Sequence, residues 1–309
     1  DSSFACTPNH RVAVMDGDDS YIWKAASELK FGDKLIAPSF SIDGSKQTLP
    51  AFTYEKPKKS TTCKDIIIPE LDTEMAWLLG LLHGDGHVGK KEVTIPIHED
   101  YFEMGLRAGE QLKRFGVNVG VTEYDNYFVL RAKSKQLATY FRSWLKQANT
   151  LISVPNFIWN ATQDIKLAYV AGLMDADGSA KTRPIQVVCT IYEDFAEEIR
   201  LLLSSCGIQT RIKALSETNL EDGWRKKYAV VLINSKAKET FSDIPELFKS
   251  ELKINKNSEH YTNILPSGLV WSKSDSPLIP VNFIRLEDVE GEEETWDLEV
   301  EEAHEFFCE

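Results

Sequence analysis

Two stretches of this chain carry apolar residues at helical spacing and stop in the same way. The first opens at Thr73, read as a cap after Asp72, places Met75, Trp77, Leu78, Leu79, Leu81 and Leu82 on the helix, and stops at Gly84-Asp85-Gly86. The second opens at Asp164, runs through Leu167, Tyr169, Val170, Ala171, Leu173 and Met174, and stops at Ala176-Asp177-Gly178. The segments downstream of the two helices also match. After the first come strand-like residues 93–97, Glu99-Asp100, an apolar helix ending at Phe115-Gly116-Val117, a strand at 127–130 and Ser134-Lys135. After the second come strand-like residues 185–191, Glu193-Asp194, a helix ending at Cys206-Gly207-Ile208, a strand at 228–233 and Ser235-Lys236. The order αββαββα, met twice, predicts an internal duplication in an α+β protein.

The flanks read differently. From residue 4 to 38, short apolar runs alternate with turn signals such as Asp16-Gly17-Asp18-Asp19 and Phe31-Gly32-Asp33, which predicts short strands. Similar strand signals return at 269–271, 281–284 and 296–300. Residues 41–64 are polar and contain Gly44, Pro50, Pro57 and the cluster Lys56, Lys58, Lys59, the composition of a linker or arm. The expected divisions are therefore 1–69, 70–260 and 261–309.

Charge changes this picture only through its distribution. The formal net charge of −13 opposes a polyanionic partner if it is averaged over the chain. Residues 281–309, however, hold 12 acidic residues against Arg285 alone, while residues 70–260 hold 26 acidic and 24 basic residues, a net of −2. The duplicated region is close to neutral and has room for basic stripes. Five scattered cysteines (Cys6, Cys63, Cys189, Cys206, Cys308), without a C-x-x-C, match neither a zinc ribbon nor a disulfide framework. Without an apolar run long enough to cross a bilayer or a signal-type start, the expectation is a reduced, cytoplasmic, globular protein with no membrane partner.

The helix ends carry the candidate chemistry. Gly80, Gly84, Ala171, Gly172 and Ala176 strip side chains from one helical face, so the two helices can pack backbone to backbone and bring their ends together. Each end then presents one carboxylate, Asp85 and Asp177, beside outward-pointing carbonyls such as those of Gly84 and Ala176. Two carboxylates with carbonyl oxygens make a hard site suited to Mg²⁺, with Mn²⁺ able to substitute, and to phosphodiester hydrolysis. His83 and Asp175, lying two residues before these aspartates, read as packing residues. Arg131, Lys133, Gln186, Arg211, Lys213, Arg225, Lys226 and Lys227, on or near predicted strands, are candidates for contacting nucleic acid; each is equally compatible with a solvated strand face.

The nonapeptides Leu78-Leu79-Gly80-Leu81-Leu82-His83-Gly84-Asp85-Gly86 and Val170-Ala171-Gly172-Leu173-Met174-Asp175-Ala176-Asp177-Gly178 resemble the signature of the LAGLIDADG homing endonucleases, the second almost letter for letter. The resemblance implies two pseudo-symmetric αββαββα repeats whose sheets form a DNA-binding saddle. It also implies Mg²⁺-dependent cleavage of both strands of a long asymmetric double-stranded DNA site by a monomer, leaving short 3′ overhangs. Family members place a lysine near each active site, which Lys253 and Lys256 match in the second repeat. At the corresponding place in the first stand Leu151-Ile152-Ser153, with Lys146 as a substitute, a departure that puts equal cutting of both strands in question.

The flanks resemble the Hint domain of inteins. Thr7-Pro8-Asn9-His10 is similar to the T-x-x-H block, and Thr295-Trp296-Asp297-Leu298-Glu299-Val300 with Ala303-His304-Glu305-Phe306-Phe307 is similar to the block before the C-terminal splice junction. By that resemblance Thr7 and His10 polarise the first scissile amide, Asp297 helps activate the nucleophile, and His304 assists asparagine cyclisation. The chain carries neither the initial nucleophile nor the terminal asparagine, so splicing is expected to be incomplete in it. The rival expectations are a splicing element with a decayed endonuclease and a non-cleaving nucleic-acid binder, such as a maturase or regulator.

Overall fold

In the computed structural model the chain forms two compact units, one from Asp1–Phe40 with Leu265–Glu309 and one from Ser41–Ile264. The structure describes residues 6–16, 20–38, 43–45, 47–54, 65–145, 152–179, 185–208, 210–215, 227–232, 278–283, 285 and 286. Numbered along the chain, the first unit holds β1 (Arg11–Met15), β2 (Tyr21–Ala25), β3 (Lys34–Pro38) and, from the far end of the sequence, β11 (Leu278–Asn282). They form one sheet in the order β11-β3-β1-β2, with Val14, Ala26 and Leu29 buried against it. Among its described residues this unit is mostly β and joins strands from both flanks of the sequence.

The second unit contains the duplication. Its first repeat runs α1 (Thr73–Gly84), β4 (His87–Val88), β5 (Val93–His98), α2 (Phe102–Lys113), β6 (Val119–Glu123), β7 (Tyr127–Ala132) and α3 (Lys135–Arg142). The sheet order is β4-β5-β7-β6, all pairs antiparallel. The pleat explains the burial pattern. Ile95, Ile97, Phe128, Leu130 and Ala132 enter the core, and Phe128 lies against Gly105 of α2, so Tyr127, Val129 and Arg131 face away from the helices. At the start of α1 the side chain of Asp72 accepts from the amide of Met75 at 2.9 Å. Asp72 is therefore the cap and Thr73 the first helical residue, one position from the sequence expectation, because the short carboxylate side chain reaches the third amide of the helix.

After the short α4 (Asn156–Trp159), the second repeat runs α5 (Gln163–Asp177), β8 (Gln186–Thr190), α6 (Glu193–Ser204), β9 (Thr210–Leu215) and β10 (Lys227–Leu232). Its sheet order, β8-β10-β9, reproduces β5-β7-β6. The correspondence reaches single residues. The pair His87 with Thr94 reappears 92 positions later as the bridge Ser179 with Gln186. Gly116 and Gly207, both just past a helix, have φ of 73° and 74°, the left-handed geometry that ends a helix without a Cβ clash.

Helices α1 and α5 form the centre of this unit. A Cβ on Gly80 would collide with the carbonyl of Tyr169 and lie 2.9 Å from the amide of Leu173; one on Gly172 would collide with the carbonyl of Trp77 and lie 2.7 Å from the amide of Leu81. Residues 77, 80 and 81 become 169, 172 and 173 on adding 92, so the contact is self-complementary, as across a two-fold axis. The stretch read as a linker differs in part. Of residues 43–54 Leu49 is 5% exposed within the core, the Tyr140 hydroxyl donates to the carbonyl of Pro50 at 3.0 Å, and the Asp43 side chain accepts from the amide of Gln163 at 2.7 Å. This strap docks through isolated residues, which leave no periodic signal in the sequence.

Candidate active site at the paired helix ends

The close approach of α1 and α5 decides where Asp85 and Asp177 sit. The amide of Asp85 donates to Leu81 at 3.0 Å and that of Gly178 to Met174 at 2.9 Å, so both helices keep their ladders to the last turn. A Cβ on Gly84 would collide with that of Ala176 and stand 3.1 Å from Oδ2 of Asp177. The Asp177 carboxylate thus lies against the residue that precedes Asp85, and both aspartates are exposed. The carbonyls of Gly84 and Ala176 lie in the last turns, beyond the internal ladder of each helix.

Among the described residues no group of three or more His, Cys, Asp and Glu could enclose a metal ion. Two exposed carboxylates with nearby carbonyls instead fit the way Mg²⁺ is held, by one or two carboxylates with waters and substrate phosphates completing the shell. The donor set is hard and all oxygen, so it fits Mg²⁺ or Mn²⁺ rather than a soft ion.

His83 and Asp175 point away from this site. His83 is 2% exposed and its Nδ1 lies 2.5 Å from the Tyr169 hydroxyl, while Asp175 is 3% exposed and accepts from Nε1 of Trp77 at 2.8 Å. Burial holds the Tyr169 phenol well above its ordinary range, with Glu198 adding to the effect, so it stays a neutral hydroxyl. Trp77 also lies under the guanidinium of Arg107, 4.3 Å from the ring centroid, and Arg107 is paired with Glu74. Sequence reasoning placed Trp77 and Tyr169 only in the core. The 92-residue offset carried the signal, since it maps Trp77 onto Tyr169 and His83 onto Asp175.

The candidate nucleic-acid residues that are described fall on outward sheet faces or at their ends. Arg131 is half-buried in a polar network: its Nε lies 3.2 Å from the Thr122 hydroxyl, Nη1 3.3 Å from Glu92 and Nη2 3.5 Å from the Tyr124 hydroxyl. Tyr124 stacks on Tyr127 with ring centroids 4.7 Å apart. Lys133 is exposed just past β7. In the second repeat Arg211 and Lys213 alternate with Ile212 and are exposed, opposite Val231 and Ala229, and Lys227 is exposed at the start of β10. Gln186 departs from its reading as an exposed residue. It is half-buried, and its side-chain amide donates to the carbonyl of Asp177 at 3.4 Å, because the bridge to Ser179 holds it beside the end of α5. Burial pushes up the Cys189 thiol, which occupies this face in the same row as Lys213.

Of the remaining candidates, Lys146, Arg225, Lys226, Lys253, Lys256, Asp297 and His304 lie outside the described residues. Thr7 and His10 are described. The amide of His10 donates to the carbonyl of Thr7 at 3.0 Å, and the His10 carbonyl accepts from Ala26 at 2.8 Å, which fixes this turn to the end of β2.

Residues 164–244, which contain most of the second repeat, match the family model of the LAGLIDADG-like domain. Among curated relatives, the replication factor C small subunit of Methanocaldococcus jannaschii is 22% identical over 225 residues, covering 67% of this chain and 12% of that protein. The DNA polymerase of Thermococcus litoralis is 26% identical over 280 residues, 83% of this chain and 16% of that protein. The chain thus spans only a small part of the relatives it matches. Similar solved structures include mesophilic variants of the homing endonuclease I-DmoI (17% identity, TM-score 0.43, 56% of this chain and 96% of that one). The N-terminal LAGLIDADG domain of DUF199/WhiA is similar at 13% identity and a TM-score of 0.40, over 59% of this chain and 84% of that one.

Proposed function

We propose that this chain is a site-specific endonuclease that hydrolyses both strands of a long, asymmetric double-stranded DNA site as a monomer. The observation that carries the reading is the glycine-paired approach of α1 and α5, which brings the Asp177 carboxylate against Gly84, the residue before Asp85, with both aspartates exposed at these helix ends. In this reading Asp85 and Asp177, with the carbonyls of Gly84 and Ala176, hold divalent ions against the scissile phosphates. A bound Mg²⁺ supplies a Lewis acid that acidifies coordinated water and takes up charge on phosphate oxygen. The protein's own part is to orient. The α1–α5 contact fixes the separation of the carboxylates, Lys253 and Lys256 serve the second repeat, and the outward sheet faces with Arg131, Lys133, Gln186, Arg211, Lys213 and Lys227, together with the sequence candidates Arg225 and Lys226, align the duplex. Because the two faces carry different side chains, the target is non-palindromic.

We further propose that the endonuclease is an insert in an intein, with the β-rich unit as the splicing domain and Thr7, His10, Asp297 and His304 as its splicing residues. Relatives of unrelated kinds support this. A replication factor subunit, DNA polymerases, an aminotransferase and a ribonucleotide reductase subunit match the chain over only 12% to 24% of their own lengths. Such a pattern fits a segment that moves between hosts.

The test is cleavage of a randomised double-stranded library in Mg²⁺ and in a chelator, read by sequencing the cut ends. Recurrent sites with short 3′ overhangs, cut only with the ion, support the proposal. Binding without any cut would leave the non-cleaving alternative.

A further inference from the structure

The bonds from Trp77 to Asp175 and between Tyr169 and His83 are related by the same 92-residue offset that relates the repeats. Each bond joins the middle of one helix to the last turn of the other. Asp175 is two residues before Asp177, and His83 two before Asp85, so each bond anchors the turn that carries one carboxylate. All four side chains are buried. Their environments differ: one bond ends on a carboxylate and its donor, Trp77, carries the Arg107 guanidinium over its ring face, while the other ends on an imidazole packed edge-on to Tyr169 and beside Phe195.

We infer that His83 and Asp175 are positioning residues, each holding one of the two carboxylates through its partner on the opposite helix. The inference deepens the endonuclease reading and rests on it for its catalytic consequence. The two strands are then cut under separate structural control, with the Trp77–Asp175 bond setting Asp177 and the Tyr169–His83 bond setting Asp85. A displacement of about 1 Å in a positioned group can cost on the order of a hundredfold in rate, so one lost bond is enough to separate the strands.

The test uses the full chain with Trp77→Phe and Tyr169→Phe, which keep an aromatic ring and remove one hydrogen-bonding group each. Without DNA or metal, hydrogen exchange at the Gly178 amide, bonded to Met174, and at the Asp85 amide, bonded to Leu81, reads the two last turns separately. Trp77→Phe should speed exchange at Gly178 about tenfold and leave Asp85 unchanged, and Tyr169→Phe should do the reverse. Asp175→Asn, which keeps an oxygen to accept from Trp77, should retain protection at Gly178. Acceleration of both amides together, or of neither, would overturn the inference. Should Trp77→Phe fold poorly, Trp77→Phe/Asp175→Leu replaces the bond by apolar packing and reads the same amide. In strand-resolved cleavage the two single variants should slow opposite strands. A wild type that cuts neither strand removes the endonuclease reading, while the exchange pattern still decides the positioning.

Discussion

Asp72 shows how one side chain can serve two structural ends. It caps α1 and pairs with Arg114 at 2.9 Å. Burial pushes its carboxyl up, but the hydrogen bonds from Arg114 and the Met75 amide outweigh that, and the group titrates below its ordinary 3.8. A carboxyl with a depressed native pKa adds stability that is complete above the unfolded value and is lost as pH falls through the native one. Asp72→Ala should therefore cost about 1 kcal/mol near neutrality, and the deficit should shrink below about pH 4, read from unfolding midpoints across that range. A deficit constant with pH would assign the loss to packing. Cys206 makes a second residue-scale case. Burial raises its thiol to about 11, which leaves about one part in a thousand as thiolate at pH 8. In pulsed alkylation it should label far more slowly than half-exposed Cys189, and equal rates would contradict its burial.

At the scale of elements, the packing of α1 against α5 decides the architecture of the duplicated unit. A methyl group at Gly80 or Gly172 meets backbone on the other helix, which cannot move aside as a side chain can. Gly80→Ala and Gly172→Ala should each cost about 2–3 kcal/mol, whereas Gly109→Ala, with open space around its Cβ position, should be neutral or stabilising. Thermal unfolding of the three variants settles the comparison. Gly116→Ala and Gly207→Ala should lie between, at about 1 kcal/mol each, from left-handed backbone geometry. Much of this was legible in the sequence. The small residues on the two helices, the carboxylates at their ends and the order of strands are local patterns that survive without knowledge of the partner. The cross-helix bonds of Trp77 and Tyr169 depend on register between distant segments, so only the repeat offset pointed to them. The Arg131 network was illegible for a similar reason, since Glu92, Thr122 and Tyr124 reach it from separate places in the chain. The docked strap was missed because Leu49 and Phe52 belong to a short stretch with Pro50 that has no sustained helical or strand period.

At the scale of the whole molecule, the two sheet faces present cations in different ways. Arg131 is held by Glu92 and Thr122, which suits a side chain that must meet a base edge in one orientation. Arg211 and Lys213 are exposed, and among the described residues no carboxylate pairs with them, which suits phosphate contact. Arg211→Ala and Lys213→Ala should each weaken DNA binding across sequences and lower the salt slope by about 1, while Arg131→Ala should chiefly relax sequence preference. Binding titrations over a series of salt concentrations, on selected and scrambled duplexes, separate the two. Equal loss of affinity on both duplexes in all three variants would contradict the division.

In the proposed endonuclease Asp85 and Asp177 form one bipartite site at the joined helix ends. Its most direct test is strand-resolved cleavage of a selected target by wild type, Asp85→Asn and Asp177→Asn at matched DNA occupancy. Both substitutions should leave binding within about twofold, each should abolish double-strand cleavage, and the double variant should cut neither strand. Double-strand cleavage at the wild-type rate by either single variant would contradict the claim.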